Sequence, residues 1–356
     1  MKKFIFLIGA ALLGLSLHAQ PPQGGAPQGP RPQGQRPAQQ GGRVKILIDN
    51  DLCGDGDGLF HLVHQMLCTS SDVRGIVGAH VGARSQAWGQ TSGEAAARNN
   101  ADISVSRANE ILELTGKAGK VTVKPGAPGP MADPKTPIDT EGARLIIEEA
   151  KNATPERPLY LLFGGPLTDI ASAWLLDPSI SKNVILLWIG GQEYPFGHPF
   201  PPEHFRGNNL VEYNLRLDIN AARTVFNDSD LTIWQIPRDV YRQSMYSMAE
   251  LEDKIFPLGK IGEYLSGKLG GFARSADTYV LGDSPLCLIS TLTTTFEPGA
   301  AGSFYEVTPA PKIMEDGKYD FSSPGRDIIV YKTIDTRLLL SDMESRFRLR
   351  AAAESK

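Results

Sequence analysis

The stretch from Val44 to Gly58, VKILIDNDLCGDGDG, constrains the fold more than any other part of the chain. Its first residues, Val44 to Ile48, are mostly aliphatic and alternate poorly with polar residues, which predicts a fully buried strand. The strand runs into a glycine-rich loop, and the two together contain four aspartates: Asp49, Asp51, Asp55 and Asp57. Because carboxylates this close repel one another and raise each other's pKa values, the segment needs a compensating charge.

Two interpretations of this loop fit the residues. Carboxylate oxygens are hard ligands that suit calcium or magnesium, and open α/β sheets bind ligands in the crevice at the carboxyl ends of their strands. A divalent cation held at the end of the first strand is therefore one interpretation. The other is a solvated turn, since aspartate and glycine are both common in turns.

Strand-like and helix-like segments alternate from residue 44 to about residue 227. The predicted strands are Val44–Ile48, Val73–Val81, Val121–Lys124, Leu159–Phe163, Val184–Ile189 and Leu231–Ile236. This alternation predicts one α/β domain, residues 44–356, with a mainly parallel, Rossmann-like open sheet covered by helices on both faces. The chain becomes more helical after Tyr241. The tail from Phe304 onward is predicted to form short strands, of which Asp327–Thr333 is the clearest.

The N-terminal residues have the composition of a targeting segment followed by a spacer. Lys2 and Lys3 precede an apolar run, residues 4–17, that is too short to span a membrane, and Ala19 supplies a small residue for cleavage. Residues 1–19 are thus predicted to be a signal peptide of an exported protein, either periplasmic or secreted. Residues 20–43, rich in Pro, Gln and Gly, are predicted to be a disordered linker.

Charge and cysteine content narrow the classes of partner. The formal net charge is −4 and the chain has no basic block, which argues against nucleic acid and anionic membrane surfaces as partners. The three cysteines, Cys53, Cys68 and Cys287, are too few for a disulfide framework, and whether Cys53 and Cys68 pair after export is open.

His61 and His64, on the first predicted helix, are interpreted as structural.

Four stretches, in this order, resemble the inosine–uridine-preferring nucleoside hydrolases. IDNDLCGDGDG, residues 48–58, is similar to the family's DxDPGxDD signature with two extra residues. LFGGPLTDIASA, residues 162–173, the IGG of residues 189–191 and EYNLRLDINAA, residues 212–222, resemble the family's later motifs. The resemblance implies the nucleoside hydrolase fold and hydrolysis of the N-glycosidic bond of a ribonucleoside or related riboside. It also implies a bound calcium ion and a homodimer or homotetramer.

Mapped onto this sequence, the resemblance implies roles for single residues. Asp51 is the general base that activates a metal-bound water, and it is also a metal ligand. The other implied ligands are Asp57, the main-chain carbonyl of Gly164, and Asp283 in the segment LGDSPL. The residues implied to bind the ribose hydroxyls are Asp57, Glu212 and Asn214, with Asn208 or Asn209 as a further one.

The sequence departs from the family pattern at two functional positions. Gly58 stands where the family has a principal calcium ligand, and Asp55 in the two-residue insertion is a candidate substitute. Gly282 stands where some family members have the histidine that protonates the leaving base. His198 and His204, in the loop before Asn208, are candidates for the missing general acid, because a histidine pKa suits proton transfer near neutral pH.

Two further interpretations remain open. Gly58 and Gly282 both favour a riboside-binding protein on the same fold with lost or weak catalysis. A strand ending in DND also fits a HAD-type phosphatase with Asp49 as nucleophile, Asp51 as acid/base and magnesium as cofactor. The phosphatase interpretation leaves the stretches from residue 162 and from residue 212 unexplained. Substrates with good leaving groups separate the hydrolase from the binding protein.

Overall fold

The structure, a computed structural model, describes residues 42–82, 100–194, 211–269, 275–292 and 302–354. The predicted signal peptide and nearly all of the predicted linker lie outside these ranges. Within them, no helix is long and apolar enough to cross a lipid bilayer.

A mixed sheet of eight strands forms the centre of the described chain, in the order β3-β2-β1-β4-β5-β6-β12-β9. Neighbouring strands are parallel except β9, which runs antiparallel to β12. The strands are β1 Val44–Asn50, β2 Ser71–Gly78, β3 Val123–Pro125, β4 Leu159–Gly164, β5 Val184–Ile189, β6 Thr232–Ile236, β7 Met245–Ser247, β8 Thr278–Val280, β9 Phe304–Pro309, β10 Lys312–Ile313, β11 Tyr319–Asp320 and β12 Asp327–Thr333. β7 pairs with β8 and β10 with β11 in small antiparallel ribbons.

Helices cover both faces of this sheet. They are α1 Asp57–Leu67, α2 Asn100–Leu114, α3 Glu141–Lys151, α4 Thr168–Leu176, α5 Tyr213–Leu217, α6 Ile219–Arg223, α7 Arg238–Tyr241, α8 Met248–Glu250, α9 Gly259–Lys268, α10 Pro285–Thr291 and α11 Thr336–Glu354. A 3-10 turn, Pro178–Asn183, precedes β5, and π-helical turns follow α6 and α8. The predicted α/β fold with a mainly parallel sheet is confirmed.

The alternation of side chains along β1 divides the core into two layers. Ile46 and Ile48 pack with the apolar residues of α1, α10 and α11, whereas Leu47 faces the layer formed with α3 and α4. All three side chains are fully buried, and burying an aliphatic side chain of this size stabilises the fold by about 1.5–3 kcal/mol. Since both faces are covered, β1 needs apolar residues at successive positions, which explains why its sequence does not alternate.

The winding of the sheet places a crevice at the carboxyl end of β1. From β1 the chain moves outward through β2 to β3, and it then returns to β4 on the other side of β1. The direction of winding therefore reverses between β1 and β4, where Asn50 pairs with Gly164. Such a switch point is where open α/β sheets bind ligands.

The prediction that the tail from Phe304 forms short strands is right for β9 to β12 but wrong for α11. Asp335 caps this helix by accepting a hydrogen bond from the backbone N–H of Leu338 at 2.9 Å. Leu339, Met343 and Phe347 follow at a spacing of four residues, so they lie on one face, and all three are fully buried. Charged residues surround this narrow stripe, which is why composition alone did not indicate a helix.

We expect Phe347→Ala to lower the free energy of unfolding by about 3–5 kcal/mol, because it empties a fully buried site between α11 and α1, where the Phe347 ring packs against His64. Leu349→Ala is the matched control on the same helix. Leu349 is 71% exposed, so its truncation should change stability by no more than about 0.5 kcal/mol. Urea denaturation followed by circular dichroism measures both, and equal effects would contradict the packing of α11 described above.

Candidate active site

A cavity of about 570 Å³ opens at the switch point of the sheet. Six of the predicted site residues line it: Asp51, Asp55, Asp57, Glu212, Asn214 and Asp283. They come from the loop after β1, the segment that opens α5 and the turn before α10. The structure therefore brings together residues that are up to 232 positions apart in the chain, from Asp51 to Asp283.

The remaining predicted site residues divide into two groups. Gly164 ends β4, directly beside Asp51, whose backbone N–H points to the Gly164 carbonyl oxygen at 3.4 Å. The four residues of the loop before α5, namely His198, His204, Asn208 and Asn209, lie outside the described residues, and their predicted roles stay predictions.

Hydrogen bonds join Asp283 to both ends of the loop that follows β1. The Asn50 side-chain amide donates to Asp283 Oδ2 at 2.8 Å, and the Asp283 backbone N–H points to Asp57 Oδ2 at 3.2 Å. Asp57 Oδ1 also accepts from the backbone N–H of Gly58 at 2.8 Å. Asn50, Asp57 and Asp283 thus form one connected group at the base of the cavity.

Asn50 is the site residue that the sequence interpretation missed. It is fully buried, and its Oδ1 has no hydrogen-bond partner among the described residues. A Cβ built on Gly58 would overlap this oxygen and lie 3.1 Å from Asp283 Oδ2. The Asn50 side chain therefore occupies the space that a side chain at position 58 would need.

A signal for Asn50 was present in the sequence. The residue sits between two aspartates at the end of β1, and successive residues of a strand point to opposite faces. Asn50 consequently shares a face with Ile48, toward α1 and α10, while Asp49 points to the other layer. The sequence interpretation considered only the aspartates and so missed Asn50, whose neutral side chain also offers an oxygen to a cation.

The residues at the base of the cavity fit a divalent cation. Their donors are all oxygens, from the side chains of Asp51, Asn50 and Asp283 and the carbonyl of Gly164, which is the hard ligand set that calcium and magnesium take. A Cβ built on Gly164 would lie 2.6 Å from Asp283 Oδ2, so a glycine is required for the backbone to approach this closely. An orphaned buried oxygen on Asn50 is also what an ion would satisfy.

Burial and mutual repulsion raise the pKa values of the carboxyl groups here. For Asp51 and Asp57 the pKa is raised first by burial and then by neighbouring carboxylates, Asp283 foremost. Burial likewise raises the pKa of Asp283 to about 8, against the opposing hydrogen bond from Asn50. A cation would favour the charged forms and reverse these shifts.

Glu212 and Asn214 form a rigid rim beside this group. Glu212 Oε2 accepts from the backbone N–H groups of Gly191 and Leu215, at 2.9 and 3.0 Å, and so caps α5. Its Oε1 accepts from the hydroxyl of Tyr241 at 2.9 Å. The Asn214 amide donates to the carbonyl of Ile189 at 2.8 Å, which leaves its Oδ1 as the group able to meet a ligand.

Asp49 lies beneath the site and does not line the cavity. Its side chain is fully buried, neither carboxylate oxygen has a hydrogen-bond partner in the described part of the chain, and burial followed by repulsion from Asp169 raises its pKa. A phosphatase nucleophile must reach its substrate, so this position argues against the phosphatase interpretation.

Comparison with known proteins agrees with this geometry. A sequence profile of the family described as inosine-uridine preferring nucleoside hydrolase matches residues 46–297. The chain belongs to this family. Among curated proteins, none matches the chain significantly.

Solved structures of nucleoside hydrolases share the fold. A plant nucleoside hydrolase, the PpNRh1 enzyme, superposes with a TM-score of 0.61 at 19% identity, over 86% of this chain and 99% of that one. The purine-preferring ribonucleoside hydrolase from Gardnerella vaginalis gives 0.65 at 17% identity, over 87% and 99% of the two chains. The inosine-uridine preferring nucleoside hydrolase from Bacillus anthracis gives 0.58 at 17%, over 86% and 99%. At these identities the likeness shows the fold.

We expect the stability of the metal-free protein to fall as pH rises from about 4 to about 8. An aspartate in an unfolded chain has a pKa of about 3.9, whereas that of Asp283 in the fold is about 8. The folded state thus binds the extra proton, and its stabilising effect is lost as that proton leaves. Thermal unfolding in EDTA should give a melting temperature lower at pH 8 than at pH 5.

Asp283→Asn is the control for this pH dependence. Its neutral side chain cannot ionise, so the fall in stability should be shallower, and burial of Asp51 and Asp57 accounts for the part that remains. A melting temperature of the metal-free wild type that rises across the same pH range would show that these carboxylates are not strained by burial.

Proposed function

We propose that this protein hydrolyses the N-glycosidic bond of a ribonucleoside or a related riboside. The observation that carries the proposal is the group formed by Asp51, Asp57 and Asp283 at the base of a cavity large enough for a nucleoside. Cleavage of the bond passes through a ribosyl state that resembles an oxocarbenium ion, and carboxylates held beside it stabilise the positive charge.

Asp51 is the general base of the proposed reaction. It lines the cavity at the exit of β1, and its backbone is held by Gly164 and by the turn to Gly54, whose N–H donates to the Asp51 carbonyl at 2.6 Å. Fixed in this way, its carboxylate accepts the proton of the attacking water. Without a cation, burial and then the neighbouring carboxylates raise the pKa of Asp51. A bound cation would offset this rise and keep Asp51 in the charged form that a base requires.

Calcium is the proposed cation, held by Asp51, Asn50, Asp283 and the Gly164 carbonyl. When bound, it orients the ribose hydroxyls and lowers the pKa of a water molecule. In this proposal Asn50 replaces the ligand missing at Gly58. Asp55 is the weaker candidate, because its side chain is exposed at the cavity wall whereas Asn50 Oδ1 is buried over Gly58.

Asp57, Glu212 and Asn214 are proposed to bind the ribose hydroxyls. Each is tied to backbone atoms by the hydrogen bonds described above, so the binding geometry is set before the substrate arrives. The oxygen atoms of these side chains accept hydrogen bonds, which suits the donors of a sugar diol. From the predicted signal peptide, we propose that this activity is exported from the cytoplasm.

We propose that a residue other than Gly282 supplies the acid that protonates the leaving group. A Cβ built on Gly282 would lie 2.9 Å from Asp57 Oδ2 and 3.4 Å from the ring of Tyr241, so a histidine there would displace one of them. Tyr241 and Tyr279 line the cavity, but burial raises the pKa of both well above 10, which makes them weak acids. His198 and His204 remain the proposed candidates.

A second candidate function is riboside binding with little hydrolysis. The observation that favours it is that Gly282 has no side chain that could protonate the leaving group. Substrates that need no protonation of the leaving group separate the two functions, since a hydrolase without its acid still cleaves p-nitrophenyl riboside while a binding protein does not.

We expect Asp51→Asn to lower kcat/KM for p-nitrophenyl riboside by about 10²–10⁴-fold, because it removes the general base. Asp253→Asn, which is exposed and does not line the cavity, is the matched control and should change kcat/KM little. EGTA should abolish the release of ribose by the wild type, and added calcium should restore it. Ribose binding without any release by the wild type, in the presence of calcium, would overturn the hydrolase proposal in favour of the binding function.

We expect Asn50→Ala to weaken calcium binding by about tenfold, equal to about 1.4 kcal/mol, because one oxygen ligand is lost. Gly58→Asp alone should destabilise the protein, since its Cβ overlaps Asn50 Oδ1. Combined with Asn50→Ser, which makes room for it, Gly58→Asp should recover both stability and calcium affinity. Isothermal titration calorimetry and thermal unfolding measure these effects.

Gly129→Asp is the control for the effect of adding an aspartate, because a Cβ at Gly129 meets no atom of the described chain within 4 Å. Unchanged calcium affinity in Asn50→Ala, together with a loss in Asp55→Asn, would mean that Asp55 supplies the missing ligand.

A further inference from the structure

A second cluster of ligand-type side chains lies behind the active site, between α1, α10 and α11. His64, Cys68 and Cys287 each offer one ligand atom, and these atoms lie within 4.8 Å of one another. The two sulfur atoms are 3.5 Å apart, and none of the three residues is more than 5% exposed. Riboside hydrolysis as proposed uses none of them.

The surroundings of His64 are those of a metal-ligating histidine. Its Nε2–H donates to Asp342 Oδ2 at 2.8 Å, and Asp342 in turn accepts from Arg346 Nε at 2.6 Å. This bond assigns the proton to Nε2. Nδ1 has no partner with hydrogen-bond geometry among the residues described, although the Cys68 thiol is near enough to interact with the ring. A carboxylate on the far nitrogen is the usual support of a histidine ligand, because it fixes the ring and its tautomer.

From this geometry we propose that His64, Cys68 and Cys287 bind one thiophilic cation, Zn²⁺ or Cu⁺, at a structural site separate from the carboxylate site. Thiolate and imidazole donors select these ions over calcium and magnesium, which take oxygen ligands. Binding releases the two thiol protons to solvent, and with Zn²⁺ the two thiolates leave the buried group without net charge.

The spacing of the sulfur atoms fits a cation better than a disulfide. Two thiolates at about 2.3 Å from a tetrahedral zinc are about 3.8 Å apart, close to the 3.5 Å found here. A covalent bond would require the sulfur atoms to approach to about 2.05 Å. It would also leave the buried Nδ1 of His64 unsatisfied, which costs about 1–3 kcal/mol.

The position of the cluster gives the cation a structural role. α1 begins at Asp57 and contains His64, while α10 follows Asp283 and contains Cys287. The cation would therefore clamp the two helices that lead away from the active-site carboxylates. Through Asp342 it would also fix α11, which Arg346 already attaches to the end of α1 by donating to the Leu67 carbonyl at 3.0 Å.

Metal content is the first test. The full chain is purified without chelator and exchanged into excess calcium, so that the carboxylate site is filled, and zinc and copper are measured by plasma mass spectrometry. We expect about one equivalent of one of them per chain, lost in Cys287→Ser and in His64→Gln. Cys53→Ser is the matched control, since Cys53 is equally buried but lies in a different cluster, and it should keep the metal.

Binding of Co²⁺ is the second test, and its absorption spectrum detects the thiolate ligands directly. Co²⁺ added to chelator-stripped protein in calcium should give a thiolate-to-cobalt charge-transfer absorption that a carboxylate site cannot produce. Asp342→Asn should keep this absorption but weaken the affinity by about 10–100-fold, because it removes the support of the His64 ring.

Two results would overturn the proposal. One is a disulfide-linked peptide that joins Cys68 to Cys287 in the purified protein, with two fewer titratable thiols. The other is three free thiols with neither bound metal nor a cobalt absorption. Neither readout uses riboside hydrolysis, so failure of this proposal is distinguishable from failure of the proposed activity.

Discussion

Repulsion among the carboxylates at the carboxyl end of β1 is the constraint to which the surrounding structure responds. Asp51, Asp57 and Asp283 are held close to one another in a setting where burial alone disfavours their charged forms. The fold supplies partial compensation through the Asn50 amide and backbone N–H groups, and it leaves an oxygen-lined space at Gly164. A bound cation would provide the rest, so the site is strained without one.

Hydrogen bonds between buried side chains fix the residues around these carboxylates. Glu212 caps α5 and accepts from Tyr241 at the same time, so one buried carboxylate fixes two sides of the cavity. After β2, the backbone N–H of Gly82 donates to His80 Nδ1, which assigns the ring proton to Nε2. His80 Nε2–H then donates to the Thr168 hydroxyl, which donates to Asp218. Burial lowers the pKa of His80 to about 4, so the ring stays neutral and this chain of bonds keeps one direction.

Gly58 and Gly282 both depart from the family pattern in the sequence, but the structure compensates for only one of them. Gly58 is compensated locally, because Asn50 from the neighbouring strand fills the space above it. Gly282 is not compensated locally, since Asp57 and Tyr241 close around it. In the proposed reaction, the first departure would move an oxygen ligand from α1 to β1, and the second would remove a proton donor. The two departures would therefore affect different steps.

The sequence by itself determined the fold class and most of the described strands, because buried parallel strands require apolar runs and the chain carries them in order. The cluster of aspartates after β1 pointed to Asp51 and Asp57, and the resemblance of the segment LGDSPL to a family motif pointed to Asp283. Only the tertiary structure decided which face Asn50 takes, where Cys287 meets Cys68 and that the C-terminal residues form α11. These outcomes depend on contacts between segments more than 200 residues apart, such as Asn50 with Asp283 and His64 with Asp342, and no local pattern encodes such contacts.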